Sequence, residues 1–456
     1  MSALAAELDG IDLGDQRLNR RARRVLAKLG EKPTVSIPAA CGGWRETRAA
    51  YRLFDHDAVT AEAVLAPHIA CTVARMGAHP RVLCIEDTSE LDYTGRPSMQ
   101  GLGPLNLETR QGLYLHPTLA VTPERLCLGL LNVHRWVREP GSLGQDKDPK
   151  RALEEKESVR WVDGYRQIDE LAEQLPNTRL TYVADREADI YDLFVEAPCP
   201  DTAADWLVRG QHDRVLADGK TLRQQVAEAP VLAATTFERP ASHGCTARTV
   251  HQELRAVRIT LPAPRRPDRT LPAVEITALL ASEPAPPTGE EPVVWLLLTN
   301  LPVDTPAQAL EKLQWYLCRW QIEVYFRILK SGCRIEKLQL EKRERLEPAL
   351  ACYMIVAWRV LFLTMLGREC PDMPCDVVFE TAEWHAVYIV TERKPPPDTP
   401  PTLDRMVRMI AGLGGFLNRK SDGFPGPQTL WIGLQRAADF VLAMEAQRGV
   451  GDGRYG

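Results

Sequence analysis

Three acidic residues stand where a fold could bring them together. Asp87 follows the apolar run Arg81-Val-Leu-Cys-Ile85 and Glu86, Asp185 follows Leu180-Thr-Tyr-Val-Ala184, and Glu323 lies in a long helical pattern. An aspartate after an apolar strand sits where strand ends open into a crevice, although the same place often caps the next helix. At about 100° per residue, Tyr316, Arg319, Glu323, Arg327 and Lys330 share one stripe of the helix. Leu317, Trp320, Ile322, Val324, Tyr325, Phe326, Ile328 and Leu329 cover much of the rest, the pattern of a helix buried on most sides. Glu323 could simply pair with Arg319 and Arg327 at i, i+4 spacing. Joined by two aspartates, it instead makes three hard oxygen donors of the kind magnesium takes. Two such ions about 4 Å apart would activate a water or 3′-hydroxyl and stabilise the leaving oxygen of a phosphodiester. Neighbouring cations would hold phosphate.

These residues need an α/β frame. The spacing predicts strands at Arg81 to Ile85, Leu113 to Val121, Leu126 to Val133, Leu180 to Ala184 and Trp206 to Arg209, with a helix over Ala152 to Leu175. Helices packed on a mixed sheet follow from that order. Residues 214–292 alternate apolar and polar side chains between proline-rich turns, a β-rich insertion. The core resumes with a strand at Val293 to Thr299 and a helix from Pro306 to Leu329. Ala349 to Leu366 is apolar but carries Arg359, which marks a buried core helix rather than a membrane span. A proline-rich linker at Lys394 to Pro401 precedes a helical tail.

The net charge of −5 announces no polyanion partner, but its distribution is uneven. Arg17, Arg20, Arg21, Arg23, Arg24, Lys28 and Lys32 lie close together with Glu31 the one acid among them. Leu18, Ala22, Val25, Leu26 and Leu29 form the apolar face of a helix capped by Asp15. Arg17, Arg20, Arg21, Arg24 and Lys28 line the other face, a stripe suited to phosphate. A second helix over Trp44 to Phe54 carries Arg45, Arg48 and Arg52. Eleven cysteines without CxxC spacing form neither a zinc ribbon nor a disulfide framework, and a reducing, cytoplasmic setting is expected. Glu86 is expected on the opposite side of its strand from Asp87 and is not counted as a ligand; His116 and His134 are read as structural.

The motifs resemble the bacterial DDE transposases of the insertion-sequence-four family, particularly the Tn-five type. Tyr316-Leu-Cys-Arg319-Trp-Gln-Ile-Glu323, followed by Lys330, matches the Y-(2)-R-(3)-E-(6)-K signature. Ile85-Glu-Asp87-Thr-Ser and Ala184-Asp185-Arg186-Glu187-Ala188-Asp189 match the blocks bearing the two aspartates, and likeness at Leu13 to Arg17 and Gly414 to Lys420 extends it over nearly the whole chain. Gly112-Leu-Tyr-Leu-His116 departs from the Tn-five relative in lacking its tryptophan pair. The resemblance implies an α/β, RNase H-like catalytic core interrupted by a β-rich insertion, with helical N-terminal and C-terminal domains. The expected divisions are 1–70 for DNA-end binding, 71–213 and 293–370 for the core, 214–292 for the insertion and 371–456 for protomer pairing.

It further implies that Asp87, Asp185 and Glu323 hold two Mg2+ ions, with Mn2+ substituting. Tyr316, Arg319 and Lys330 would grip phosphates near the scissile bond, Trp295 would stack on an extruded base, and Arg209 would be a basic DNA contact; Arg327, on the same helix stripe, is a further expected DNA contact. Double-stranded DNA with inverted-repeat ends, target DNA and a second protomer are the expected partners, and a nucleoid-associated cytoplasmic location is expected. The activity implied is cut-and-paste transposition; a non-catalytic DNA-binding descendant and an RNase H-like nuclease are the alternatives.

Overall fold

The computed structural model describes residues 4–144, 152–196, 203–239, 246–266 and 269–451. Within these, the strands are β1 (Arg81–Glu86), β2 (Ser89–Asp92), β3 (Gly103–Pro104), β4 (Gln111–Val121), β5 (Cys127–Trp136), β6 (Arg179–Ala184), β7 (Asp205–Arg209), β8 (Val231–Arg239), β9 (Arg248–Leu261), β10 (Val274–Ser282) and β11 (Val294–Thr299). They form one mixed sheet in the order β2-β4-β1-β6-β7-β11-β10-β9-β8, with β3 and β5 paired to β4. β1, β6 and β7 run parallel, with Ile85 beside Val183 and Val183 beside Leu207. The other neighbours are antiparallel. β4 and β5 are joined through a tight turn in which Arg125 takes a positive φ of 74°. The strands of residues 214–292 continue the sheet outward, because β11 pairs directly with β7.

The helices are α1 (Gln16–Glu31), α2 (Ile37–Cys41), α3 (Trp44–Phe54), α4 (Ala61–Met76), α5 (Val159–Glu173), α6 (Tyr191–Glu196), α7 (Leu222–Ala227), α8 (Pro306–Cys318), α9 (Trp320–Arg327), α10 (Arg343–Glu369), α11 (Thr381–Glu392), α12 (Leu403–Leu413) and α13 (Pro427–Gly451). Strand alternation divides the core into two layers. Leu83, Ile85, Val183 and Leu207 join one apolar cluster with α8, α9 and α10, while Val82, Cys84, Tyr182 and Trp206 join another with α5 and α6. α10 is long and apolar enough to cross a membrane, yet 89% of its most apolar window is buried inside the protein. Arg359 is accommodated there with its guanidinium 4.0 Å from Glu383.

α1 and α3 occupy the expected segments, and the Asp15 carboxylate accepts the Arg17 amide at 2.6 Å. Two expected helices are altered. α5 begins only at Val159, after a 3-10 turn at Leu153–Glu155. The expected helix over Pro306 to Leu329 is divided at Arg319. There the Arg319 amide bonds Tyr316 and the Ile322 amide bonds Arg319, at 3.0 and 3.1 Å. These i to i−3 bonds tighten the turn, and a π-helical turn at Ile328–Gly332 then loosens it. Trp320, expected among the covered residues, is instead 64% exposed: it stands three residues before Glu323 and seven before Arg327, so helical spacing sets it beside the polar stripe. The nine cysteines within the described residues are free thiols.

Candidate active site

Parallel pairing of β1 with β6 sets the geometry of the site. Asp87 and Asp185 each follow the last residue of their strand, and alternation places them on the face shared by Ile85 and Val183, where α8 and α9 pack. Asp185 also caps a 3-10 turn, accepting the Arg186 amide at 2.6 Å. Its capping and functional readings therefore coexist. Glu323 enters from α9, and the tightened turn at Arg319 lies immediately before it.

Arg319 is the centre of the constellation. Its guanidinium reaches Asp87 at 2.6 Å and Glu323 at 3.5 Å. Tyr316, itself buried, stands within reach of the Arg319 charge. Arg209, at the end of β7, lies 4.0 Å from Asp185, as does Arg186. Burial pushes the Asp87 carboxyl up from 3.8 to about 6, and the charges of Glu323 and Asp185 add to that; Arg319 and the Thr88 amide pull the other way. Burial opposes the charge on Arg319, but Tyr316, Asp87, Asp185 and Glu323 outweigh it and hold the guanidinium above its ordinary range. Burial likewise raises the Tyr316 phenol.

Other expected site residues lie farther out. Arg327 is exposed and donates to Gln428 of α13 at 3.3 Å, and Lys330, in the π turn, lies 4.0 Å from Glu336. Trp295 on β11 is half-buried and stacked on Phe237, with ring centroids 5.7 Å apart. On α1, Arg23 is engaged by Asp9 and the Leu8 carbonyl, and Lys32 by Asp439. Lys28 donates to the Cys41 carbonyl and Arg24 pairs with Glu46. Arg17, Arg20 and Arg21 make no ion pair among the described residues. Sequence reasoning passed over Trp44, which is 72% exposed with the Arg48 guanidinium 5.0 Å from its ring centre. Its place at the start of a helix bearing three arginines was the available signal.

The donor set suits a hard divalent cation: the charges of Glu323 and Asp185 act on Asp87, and Arg319 supplies compensating positive charge. Among the described residues, no three acidic, histidine or cysteine side chains close tightly enough to form a metal cage. Arg319, bonded to both Asp87 and Glu323, stands between them.

Comparison with known proteins bears on residues 1–59 and 162–452. A transposase DNA-binding family model matches residues 1–59, a transposase DDE domain model residues 162–358, and a Tn5 transposase dimerisation domain model residues 355–452. Asp185 and Glu323 fall inside the DDE match and Asp87 ahead of it. Among solved structures, the cryo-EM structure of the piggyBac transposase synaptic complex with hairpin DNA aligns over 82% of this chain, at 8% identity and a TM-score of 0.31. That likeness is too loose to transfer geometry, and the alignment covers 56% of the piggyBac chain. Transposase DNA-binding, DDE and Tn5 dimerisation modules thus follow one another along the chain around a mixed α/β core, the make-up of a DDE-type transposase with Tn5-like dimerisation and DNA-binding domains.

Proposed function

We propose that this protein is a cut-and-paste transposase that cleaves inverted-repeat ends and joins them to target DNA. The observation carrying this reading is the meeting of Asp87 and Glu323 on Arg319, with Asp185 close enough to raise the Asp87 carboxyl, at the open ends of β1 and β6. Asp87, Asp185 and Glu323 would hold the divalent ions. Bound there, magnesium would supply a nucleophilic hydroxide or alkoxide and stabilise the leaving oxygen. Arg319, Arg209 and Tyr316 supply donors for a scissile phosphate beside the carboxylates, and guanidinium forks suit phosphate oxygens in particular. Trp295, half-buried and stacked on Phe237, would stack on an extruded base, such stacking contributing about 1–3 kcal/mol. Arg17, Arg20 and Arg21 contact the backbone of the transposon end. The C-terminal helices pair two protomers.

The test is cleavage of DNA carrying the inverted repeats that flank the gene, with magnesium, manganese or chelator. Wild type should cut at the repeat ends with either metal, transfer the ends, and stop with chelator. Breaks without end joining would indicate a nuclease, and tight binding without cutting a non-catalytic DNA-binding protein.

A further inference from the structure

Directly behind Asp87 lies a buried network that the proposed chemistry does not use. Glu86, the last residue of β1, is 1% exposed. Its carboxylate accepts hydrogen bonds from the Thr118 hydroxyl at 2.5 Å and the Tyr182 hydroxyl at 2.7 Å, and lies 3.2 Å from His116 Nε2. The far nitrogen of the same ring, Nδ1, lies 2.9 Å from the Thr88 hydroxyl. The Thr88 amide in turn donates to Asp87 Oδ1 at 2.8 Å. A continuous chain of contacts thus runs from Glu86 through His116 and Thr88, around the end of β1, to the carboxylate on the other face.

Chemistry fixes the sense of this chain. A ring nitrogen facing a carboxylate must carry the proton, so Nε2 donates to Glu86. In the neutral ring, Nδ1 is then left to accept from Thr88. His116 is held by a second contact, edge-on to Trp161 with ring centroids 4.5 Å apart. The carboxylate is also seated against the backbone of α5, where a Cβ on Gly164 would overlap it. Burying an ionised carboxylate is costly even when its bonds are made, and replacing a whole buried charged cluster by apolar side chains of similar volume is often neutral or stabilising. What the apolar alternative would lack is the path to Asp87.

We propose that Glu86, His116 and Thr88 are positioning residues: they fix the Asp87 carboxylate in the rotamer that accepts a divalent cation. This rests on the reading of Asp87 as a metal ligand. The bond that reaches Asp87 is the Thr88 main-chain amide, so the hydroxyl contact with His116 acts by holding the backbone that presents it; loss of outer-layer support commonly weakens metal binding about 10–100-fold.

The experiment measures Mn2+ binding to the full-length protein by electron paramagnetic resonance of the free ion, alongside Mn2+-supported cleavage. Thr88→Val, near-isosteric and half-buried, should weaken Mn2+ binding about 10-fold and lower kcat while leaving KM for DNA unchanged. Thr88→Ser should restore binding. His116→Asn and Glu86→Gln should follow Thr88→Val where they fold. Thr118→Val loses a bond to the same carboxylate but lies off the path, and should bind Mn2+ as wild type does. Wild-type affinity in Thr88→Val, with binding lost in Asp87→Asn, would overturn the positioning role and leave the site reading standing. Equal weakening by Thr118→Val would overturn it as well, reducing the network to core packing. Undiminished binding in Asp87→Asn would instead remove the site reading on which it rests.

Discussion

Glu86 and Asp87 are neighbours in the chain, and the end of β1 sends them into opposite environments. Behind the sheet, the Glu86 carboxylate is enclosed and fully provided with donors. In front, burial and then the charges of Glu323 and Asp185 raise the Asp87 carboxyl to about 6 despite contact with Arg319. The first acid is stabilised by its surroundings; the second is left frustrated by them. A buried acid with every bond made supports the fold, whereas acids crowded together retain a demand for a cation. The basic helix α1 repeats the contrast, since Arg23 and Lys32 are engaged internally while Arg17 and Arg20 face solvent.

The sharpest break of this comparison removes the demand itself. Glu323→Gln keeps shape but loses a charged donor, so end cleavage should fall at least a thousandfold while DNA binding persists, read by gel shift beside the cleavage assay. Next come opposite stability effects from the two neighbours. Glu86→Ala leaves the Thr118, Tyr182 and His116 donors unpaired and should destabilise by about 2–3 kcal/mol, by chemical denaturation. Asp87→Asn should stabilise the metal-free protein at pH 7.5 by up to ~3 kcal/mol, because a carboxyl raised from 3.8 to about 6 disfavours its charged form. The sign follows from linkage: the folded state holds the proton more tightly, so the penalty is absent below about pH 4, grows through pH 6 and is complete above it. The gain from Asp87→Asn should therefore vanish in acid, and a gain independent of pH would contradict the raised Asp87 carboxyl. The smallest effect is on α1. Arg20→Ala should reduce the salt slope of DNA binding by about one, and Arg23→Ala should leave it unchanged.

Much of this site was legible in sequence. Apolar runs ending in Asp87 and Asp185 gave strands ending there, and the stripe Tyr316, Arg319, Glu323 gave a helix face that meets them. The facing of Glu86 away from Asp87 followed from strand alternation. Less legible was everything set by distant neighbours. The parallel pairing of β1 with β6 joins segments nearly 100 residues apart, and no local pattern encodes it. Regular periodicity also assumed an unbroken helix, whereas the tight turn at Arg319 and the π turn at Ile328–Gly332 change its phase. Trp320 shows a different limit: counted as covered for its apolar character, it stands three residues before Glu323 and seven before Arg327, where helical spacing placed it beside the polar stripe. His116 was read as structural from the want of ligand spacing, yet its two nitrogens join Glu86 to Thr88 only in three dimensions.

The most direct measurement of the central claim is anomalous scattering from crystals of the protein soaked in Mn2+. The account predicts density bounded by Asp87, Asp185 and Glu323, with the Arg319 guanidinium withdrawn from Asp87. Manganese bound elsewhere, with the Arg319 contacts to Asp87 and Glu323 intact, would contradict it.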